Sequence, residues 1–260
     1  MKNPCSHFIS RNKFRQVAAV LAGAALCSFA VSPTRASVLW EATASQGTSV
    51  FEGLEESPGT IAVVNDPLGT YGSVYRYNTS DNNGVKSRCE SRGCRSNGSN
   101  VRMAYNGTYF VGWRAMWNPM PIAGAWVALF QLHAYNCPNG CGAPLVLKTV
   151  NGDGNLYLHN DENANQAIWH TSFKKNVWQK FVVEVHLNSS ASSGWVELWY
   201  NGAQQKFSNG QTKFNCSLWD VSGSYDLLKW GVYRSGSVSG NASAYMSRAR
   251  VGTTYNDVAP

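Results

Sequence analysis

Three short stretches of the chain carry polar side chains at two-residue spacing. In 127-VALFQLHAYN-136 an amide, Gln131, and an imidazole, His133, interrupt an otherwise apolar run. In 88-RCESR-92 the same period joins Arg88, Glu90 and Arg92. In 227-LLKWGVYRSG-236 it joins Lys229, Gly231 and Tyr233, with Leu228, Trp230 and Val232 at the alternate positions. Side chains alternate across a β-strand, so each stretch presents a polar, functional-looking face backed by an apolar one. On one outer surface, the three would gather guanidinium, amide, imidazole, phenol and ammonium groups.

That inventory fits β-elimination in a uronic-acid polysaccharide. The carbon bearing the carboxylate must lose a proton, and the carboxylate must be neutralised for the developing enolate-like anion to be tolerated. Gln131 with Arg88 or Arg92 supplies suitable donors. His133 and Tyr233 are the candidates for removing the proton and for protonating the departing glycosidic oxygen. A tyrosine ionises near pH ~10, so base duty for Tyr233 needs Lys229 or an arginine close by. Positioned proton transfer contributes roughly 10²–10⁴-fold. Glu90, Arg92 and Lys229 are expected to contact substrate. Arg114, which alternates with Gly112 and Met116 opposite Trp113 and Trp117, is a further candidate for lining the cleft. The plainer alternative for Arg88, Glu90 and Arg92 is a surface ion-pair ladder. His159, His170 and His186 read as ordinary solvent-facing or satisfied histidines.

Long helical periods are hard to find in the chain. It offers instead short alternating or β-branched and aromatic runs, such as 60-TIAVVND-66, 108-TYFVGWRAMW-117 and 144-PLVLKTV-150, separated by Gly, Asn, Asp and Ser. In 178-WQKFVVEVHLN-188, Phe181, Val183, Val185 and Leu187 take one face and Lys180, Glu184 and His186 the other, the pattern of a half-buried antiparallel strand. Asn201-Gly202 between 195-WVELWY-200 and 203-AQQKF-207 is a two-residue hairpin signal. Around a dozen such strands predict two antiparallel sheets packed as a sandwich or jelly roll. Many of the ten tryptophans must fill its core.

Residues 1–36 stand apart from this pattern. A basic head, the apolar run 17-VAAVLAGAALCSFAV-31 and the small-residue stretch 34-TRAS-37 predict a secretory signal cleaved near Ala36. The run is short for a membrane span. One domain over residues 37–260, secreted to the periplasm or the exterior, is therefore expected. Residues 1–36 hold five of the 22 Lys and Arg and none of the 15 Asp and Glu. The remainder is nearly balanced, which removes the main support for a nucleic-acid partner. Five of the seven cysteines lie beyond residue 36. Cys89–Cys94 and Cys137–Cys141 are expected as local disulfides in an oxidising compartment, with Cys216 left over. Zinc is disfavoured because 137-CPNGC-141 has no second ligand pair.

The order Arg-x-Glu-x-Arg (88-RCESR-92), Gln-x-His (131-QLH-133) and Lys-x-Gly-x-Tyr (229-KWGVY-233) resembles the three signature strands of jelly-roll alginate lyases. The flanks 109-YFVGWRAMWNPMP-121, 178-WQKFVVEV-185, 194-GWVELWYNG-202 and 228-LKWGVYRSG-236 are more similar to the glucuronan lyase and heparin-lyase-I-like group. The resemblance covers roughly residues 85–252 and implies an all-β, concanavalin-like jelly roll with an open concave cleft. It also implies metal-independent chemistry without a required cofactor. Gln131 and an arginine would neutralise the carboxylate, and His133 and Tyr233 would serve as base and acid. Such sandwiches admit a structural calcium ion, though no ligand cluster in the sequence points to one. Departures are the cysteines flanking the first motif, the insertion 136-NCPNGCGAP-144, and Ser and Arg in 246-MSRARVG-252 where the group leads one to expect an acid.

The expected partner is an acidic polysaccharide, with glucuronan ahead of alginate and heparin-type chains third, and the protein is expected to be a monomer without membrane association. Two other functions compete. A lectin-like binding module suits the sandwich and the tryptophans but does not explain the ordered motifs. A glycoside hydrolase needs two carboxylates about 5–5.5 Å apart for retention, and no suitable acidic run is present.

Overall fold

The computed structural model of the chain describes residues 37–162 and 165–260. The signal segment expected over residues 1–36 lies outside the described residues. In chain order the strands are β1 (Val38–Thr43), β2 (Gly53–Ser57), β3 (Thr60–Asn65), β4 (Ser73–Thr79), β5 (Ser87–Arg92) and β6 (Cys94–Ser96). Then follow β7 (Ser99–Val101), β8 (Thr108–Trp117), β9 (Trp126–Tyr135), β10 (Leu145–Val150), β11 (Asn155–Asn160) and β12 (Gln166–Ser172). The last third holds β13 (Gln179–His186), β14 (Trp195–Tyr200), β15 (Ala203–Gln204), β16 (Lys213–Asn215), β17 (Tyr225–Arg234), β18 (Ala242–Gly252) and a terminal helix α1 (Tyr255–Val258).

Apart from β6 and β7, which pair only with each other, these strands form two large antiparallel sheets, the jelly-roll sandwich that the alternating runs predict. The back sheet has the order β15-β14-β13-β8-β18-β4-β3, with β1 also on β18 and β16 also on β14. The front sheet has the order β12-β11-β10-β9-β17-β5-β2. Aromatic rings join the two across the core. Trp113 of the back sheet stacks on Phe130 of the front sheet at 4.3 Å and on Phe181 at 5.1 Å. Trp40 stacks on Trp230 at 5.3 Å. All five rings are buried, and with Trp117 and Trp169 half of the ten tryptophans lie in the core.

Strand β13 buries Phe181, Val183 and Val185 and leaves Lys180 exposed, as its alternation predicts. Val182, on the outer face, is also buried. The C-terminal segment lies over this side of the back sheet, with Tyr255 against Trp199 at 5.1 Å and Arg248 Nη2 donating to the Ala259 carbonyl at 2.7 Å. Asn201 and Gly202 make the β14–β15 turn with φ of 50° and 84°, the conformation that a tight hairpin requires.

Irregular pairing sets the face of the front sheet. Between β10 and β9 the register moves from Leu147↔Phe130 to Lys148↔Ala128, so Leu129 is an extra residue. Between β9 and β17 it moves from Phe130↔Trp230 to Ala128↔Tyr233. Leu129 and Phe130 consequently both enter the core, and Ala128 returns to the outer face beside Gln131. A bulge of this kind re-aims side chains without breaking the sheet.

The disulfide expectations divide. Cys137 and Cys141 are bonded, with Cα atoms 5.3 Å apart. Cys89 and Cys94 are not: both are buried free thiols, as is Cys216. Cys89 sits within extended β5 and Cys94 opens β6. Extended chain holds residues five apart at roughly 16 Å, far beyond the Cα span of about 7 Å that a disulfide tolerates.

Candidate active site

The three motif strands are neighbours: β9 pairs with β17, and β17 pairs with β5. Lys229 lies opposite Gln131 on one side and Arg92 on the other, while Tyr233 lies opposite Ala128 and Arg88. Gln131, His133, Lys229, Tyr233, Arg88, Glu90 and Arg92 thus meet on the outer face of the front sheet. His133 and Tyr233 flank Gln131 from opposite directions along the strands.

Glu90 is fully buried among them. It accepts a hydrogen bond from Gln131 Nε2 at 2.6 Å, and its other oxygen lies 3.3 Å from Arg88 Nε. Burial raises its pKa, outweighing the opposing pull of Lys229, Arg88 and the Gln131 amide. Glu55 on β2, for which the alternating motifs give no signal, collects the neighbouring cations. Arg88 Nη1 donates to it at 2.6 Å, both its oxygens lie 3.1 Å from Lys229 Nζ, and Arg92 Nε is 3.8 Å away. Burial pushes the Glu55 pKa up, but Lys229 and Arg88 with Arg92 outweigh it and hold the carboxyl below its ordinary value. For the Arg88 guanidinium burial works downward, and Glu90 and Glu55 more than offset it, so its pKa is raised.

His133 Nδ1 donates to the Ala134 carbonyl at 2.5 Å, which fixes the tautomer and leaves Nε2 as the ring's acceptor. Burial, reinforced by Lys229, lowers its pKa to about 4 in spite of the Ala134 carbonyl and Glu55. The imidazole is therefore neutral at ordinary pH. The Arg88 guanidinium stacks over the Tyr233 ring at 4.0 Å, and Trp126 meets the same ring edge-on at 4.9 Å. The cation beside Tyr233 is Arg88. Lys229 is buried at 3% exposure and committed to Glu55.

At the other end of the face Arg92 stacks on Tyr135 at 4.6 Å and donates to its hydroxyl. Tyr135 continues the two-residue period of Gln131 and His133, and that period was the available signal for it. A cavity of about 270 Å³ opens beside Gln131 and Tyr233. Among the described residues no group of three or more His, Cys, Asp or Glu side chains is arranged to hold a metal ion.

Arg114 does not join this site. It lies on β8 in the back sheet, opposite Lys180 and Arg248, with its guanidinium over the Tyr71 ring at 4.7 Å. Its neighbour Trp113 enters the core, so Arg114 points away from the front sheet. Alternation assigns it correctly to an outer face, but that face belongs to the opposite side of the sandwich.

Fold and face together define a two-sheet jelly-roll protein with a cluster of charged and titratable side chains on the outer face of one sheet. The sequence profile of the polysaccharide lyase family matches residues 40–250, and the chain belongs to that family. A search of curated proteins gave no significant match. Among solved structures, the endo-β-1,4-glucuronan lyase of the fungus Trichoderma reesei is similar with a TM-score of 0.63 at 16% identity, covering 82% of this chain and 94% of that one. The PL-14 alginate lyase of Aplysia kurodai has a TM-score of 0.56 at 14% identity, covering 84% and 100%. The alginate lyase of a Corynebacterium species has a TM-score of 0.52 at 16% identity, covering 74% and 81%. At these identities the likeness is one of fold.

Proposed function

We propose that the front-sheet face cleaves a uronic-acid polysaccharide by β-elimination, with β-1,4-glucuronan the preferred polymer and alginate next. The observation that carries this reading is the meeting of Gln131, His133, Tyr233 and Arg88 in register on one outer face. The substrate carboxylate lies against the Gln131 amide and the Arg88 guanidinium, with Arg92 further along, and their donors stabilise the charge that develops as the α-proton leaves. The base takes that proton, the C4–O bond breaks, a C4–C5 double bond forms, and the acid returns a proton to the departing glycosidic oxygen. His133 enters as a neutral acceptor through Nε2, and Tyr233 presents a phenol beside Arg88. Which of the two removes the proton follows from the side of the ring on which it lies. Every step in this scheme uses the chain's own side chains.

Glucuronan is placed first because the structural likeness to the Trichoderma enzyme, TM-score 0.63, exceeds that to the two alginate lyases. The nearly balanced charge of residues 37–260 disfavours densely sulfated chains. Secretion follows from the basic, apolar and small-residue succession of residues 1–36, and a monomer acting on a soluble polymer completes the reading.

The test is to incubate the purified protein with glucuronan, alginate, heparin and hyaluronan and to follow the ultraviolet absorbance of unsaturated chain ends. The strongest rise is expected on glucuronan. No rise on any of the four, with binding retained, would convert the reading into that of a carbohydrate-binding module.

A further inference from the structure

The cavity beside Gln131 and Tyr233 has a far side that the elimination chemistry leaves unused: Trp126, Lys148, Asp161 and Asn165. Lys148 on β10 is 8% exposed. Its ammonium donates to the two Asp161 oxygens at 2.9 and 2.8 Å and to Asn165 Oδ1 at 2.8 Å, which takes up all three of its N–H donors. Asn165 Oδ1 also accepts from His159 Nδ1 at 2.9 Å. The Asp161 side chain keeps 28% of its surface open and lines the cavity. A buried ammonium is normally compensated in this way, and its cost is met here without any substrate. What the cluster turns to the cavity is a fixed carboxylate with spare acceptor capacity. Such a surface suits hydroxyl donors, and the one further charged group on the lining, Lys86, lies over the Trp126 ring at 5.8 Å. The volume lies just under the ~300–1,000 Å³ of small-molecule sites, room for one sugar ring.

We infer that this cavity is a subsite that reads the ring next to the reacting uronate through its hydroxyl groups, with Asp161 as their acceptor. The inference rests on the β-eliminative reading of the adjoining face and adds a requirement for free hydroxyls on the neighbouring ring. In a β-1,4-linked chain of pyranoses successive rings are turned over. When the reacting ring directs its carboxylate at Gln131 and Arg88, the next ring directs its own carboxylate away and its hydroxyls toward the cavity. The class so specified is a β-1,4-linked uronan with free ring hydroxyls, and O-acylation removes the donor that Asp161 accepts from.

The test compares the full-length protein with Asp161→Asn and Ala143→Phe on β-1,4-glucuronan, fully deacetylated and O-acetylated. Cleavage kinetics are read as unsaturated ends, and binding of glucuronate oligomers is read by calorimetry. Wild type is expected to favour the deacetylated polymer. Asp161→Asn is expected to raise KM roughly tenfold or more, the worth of a hydrogen bond to a charged acceptor, with kcat little changed and the preference between polymers reduced. Ala143 is a half-buried loop residue on the cavity wall. Its replacement by Phe is expected to do the same by bulk without disturbing Lys148, so a folding defect in the first variant does not decide the outcome. An unchanged KM in both variants, or a lowered KM in Asp161→Asn, overturns the inference. Should wild type produce no unsaturated ends, the elimination reading fails by itself, and calorimetry decides the subsite: weaker oligomer binding in both variants supports it, and equal binding overturns it.

Discussion

Gln131 and Glu90 are joined by a 2.6 Å hydrogen bond that crosses an intervening strand. Gln131 is on β9 and Glu90 on β5, with β17 between them, a span of roughly two strand spacings, ~9–10 Å. The residue of β17 opposite Glu90 is Gly231, so no side chain stands in the way. Since Glu90 also lies beside Arg88 Nε at 3.3 Å, one buried carboxylate orients both the amide and the guanidinium that the proposed mechanism assigns to the substrate carboxylate. The glycine of the Lys-x-Gly-x-Tyr stretch thereby acquires a physical role.

Gly231 has a φ of +141°, and a Cβ there would lie 2.1 Å from the Cys89 carbonyl oxygen and 2.9 Å from the Glu90 Cα. Both neighbours are backbone and cannot yield cheaply. Gly231→Ala should therefore cost roughly 2–4 kcal/mol of stability, together with a loss of activity as β5 shifts. Denaturant titration checks this, and a wild-type midpoint would sink the steric argument.

The lowered pKa of His133, about 4, gives the pH profile a specific shape. Nε2 is an acceptor above that value and becomes protonated below it. The acid limb of kcat/KM should fall near pH 4, well under the ~6.5 of an ordinary histidine, and His133→Ala should lower kcat by about 10²-fold or more. An acid limb that stays at pH 6–7 would show that the imidazole is not desolvated in this way.

Asp226 is 2% exposed, and burial, with Asp220 and Glu162 adding to it, raises its pKa to about 8. The native state then holds a proton that the unfolded state releases near pH 4. The stability this contributes is complete below that point and drains away as pH rises through about 8. Asp226→Asn should flatten the fall between pH 4 and 8, with a gain on the order of a few kcal/mol at the alkaline end. Thermal unfolding of both proteins across this range is the check, and parallel curves would refute the assignment.

Arg114 and Arg88 form a contrast pair. Arg88→Ala should lower kcat/KM by about 10²-fold or more, whereas Arg114→Ala, on the far side of the sandwich, should leave it within about twofold. Equal losses in the two variants would mean that the front face is not where the chain is cut.

Much of this site was legible because a strand converts two-residue spacing into a shared face. The shared face of Gln131, His133, Arg88, Glu90, Arg92, Lys229 and Tyr233 follows from that single rule. It gives no depth: Glu90 and Lys229, expected to contact substrate, are instead buried at 0% and 3% exposure and held by Gln131 and Glu55. The rule assigns a face without saying which sheet the face belongs to, and Arg114 is misplaced for that reason. It was also silent on Glu55, because 52-EGLEES-57 shows three acids without a telling alternation and its partner Lys229 is 174 residues away. The Lys148–Asp161 pair was hidden similarly. Lys148 sits in the apolar run 144-PLVLKTV-150, and 161-DENANQ-166 reads as a loop. The bulge at Leu129 changes the phase of β9, and Ala128 joins Gln131 only through it. The cysteines around the first motif misled because sequence proximity is a poor guide to distance along an extended strand.

Proton transfer at this face is tested most directly by Tyr233→Phe. The variant keeps the ring that packs against Arg88 and Trp126 and removes only the hydroxyl. Its rate of unsaturated-end formation on glucuronan, measured beside calorimetric binding of glucuronate oligomers, should fall about 10²–10⁴-fold while affinity changes no more than a few-fold. A variant that cleaves within a few-fold of wild type would contradict the central claim and move the chemistry to other residues.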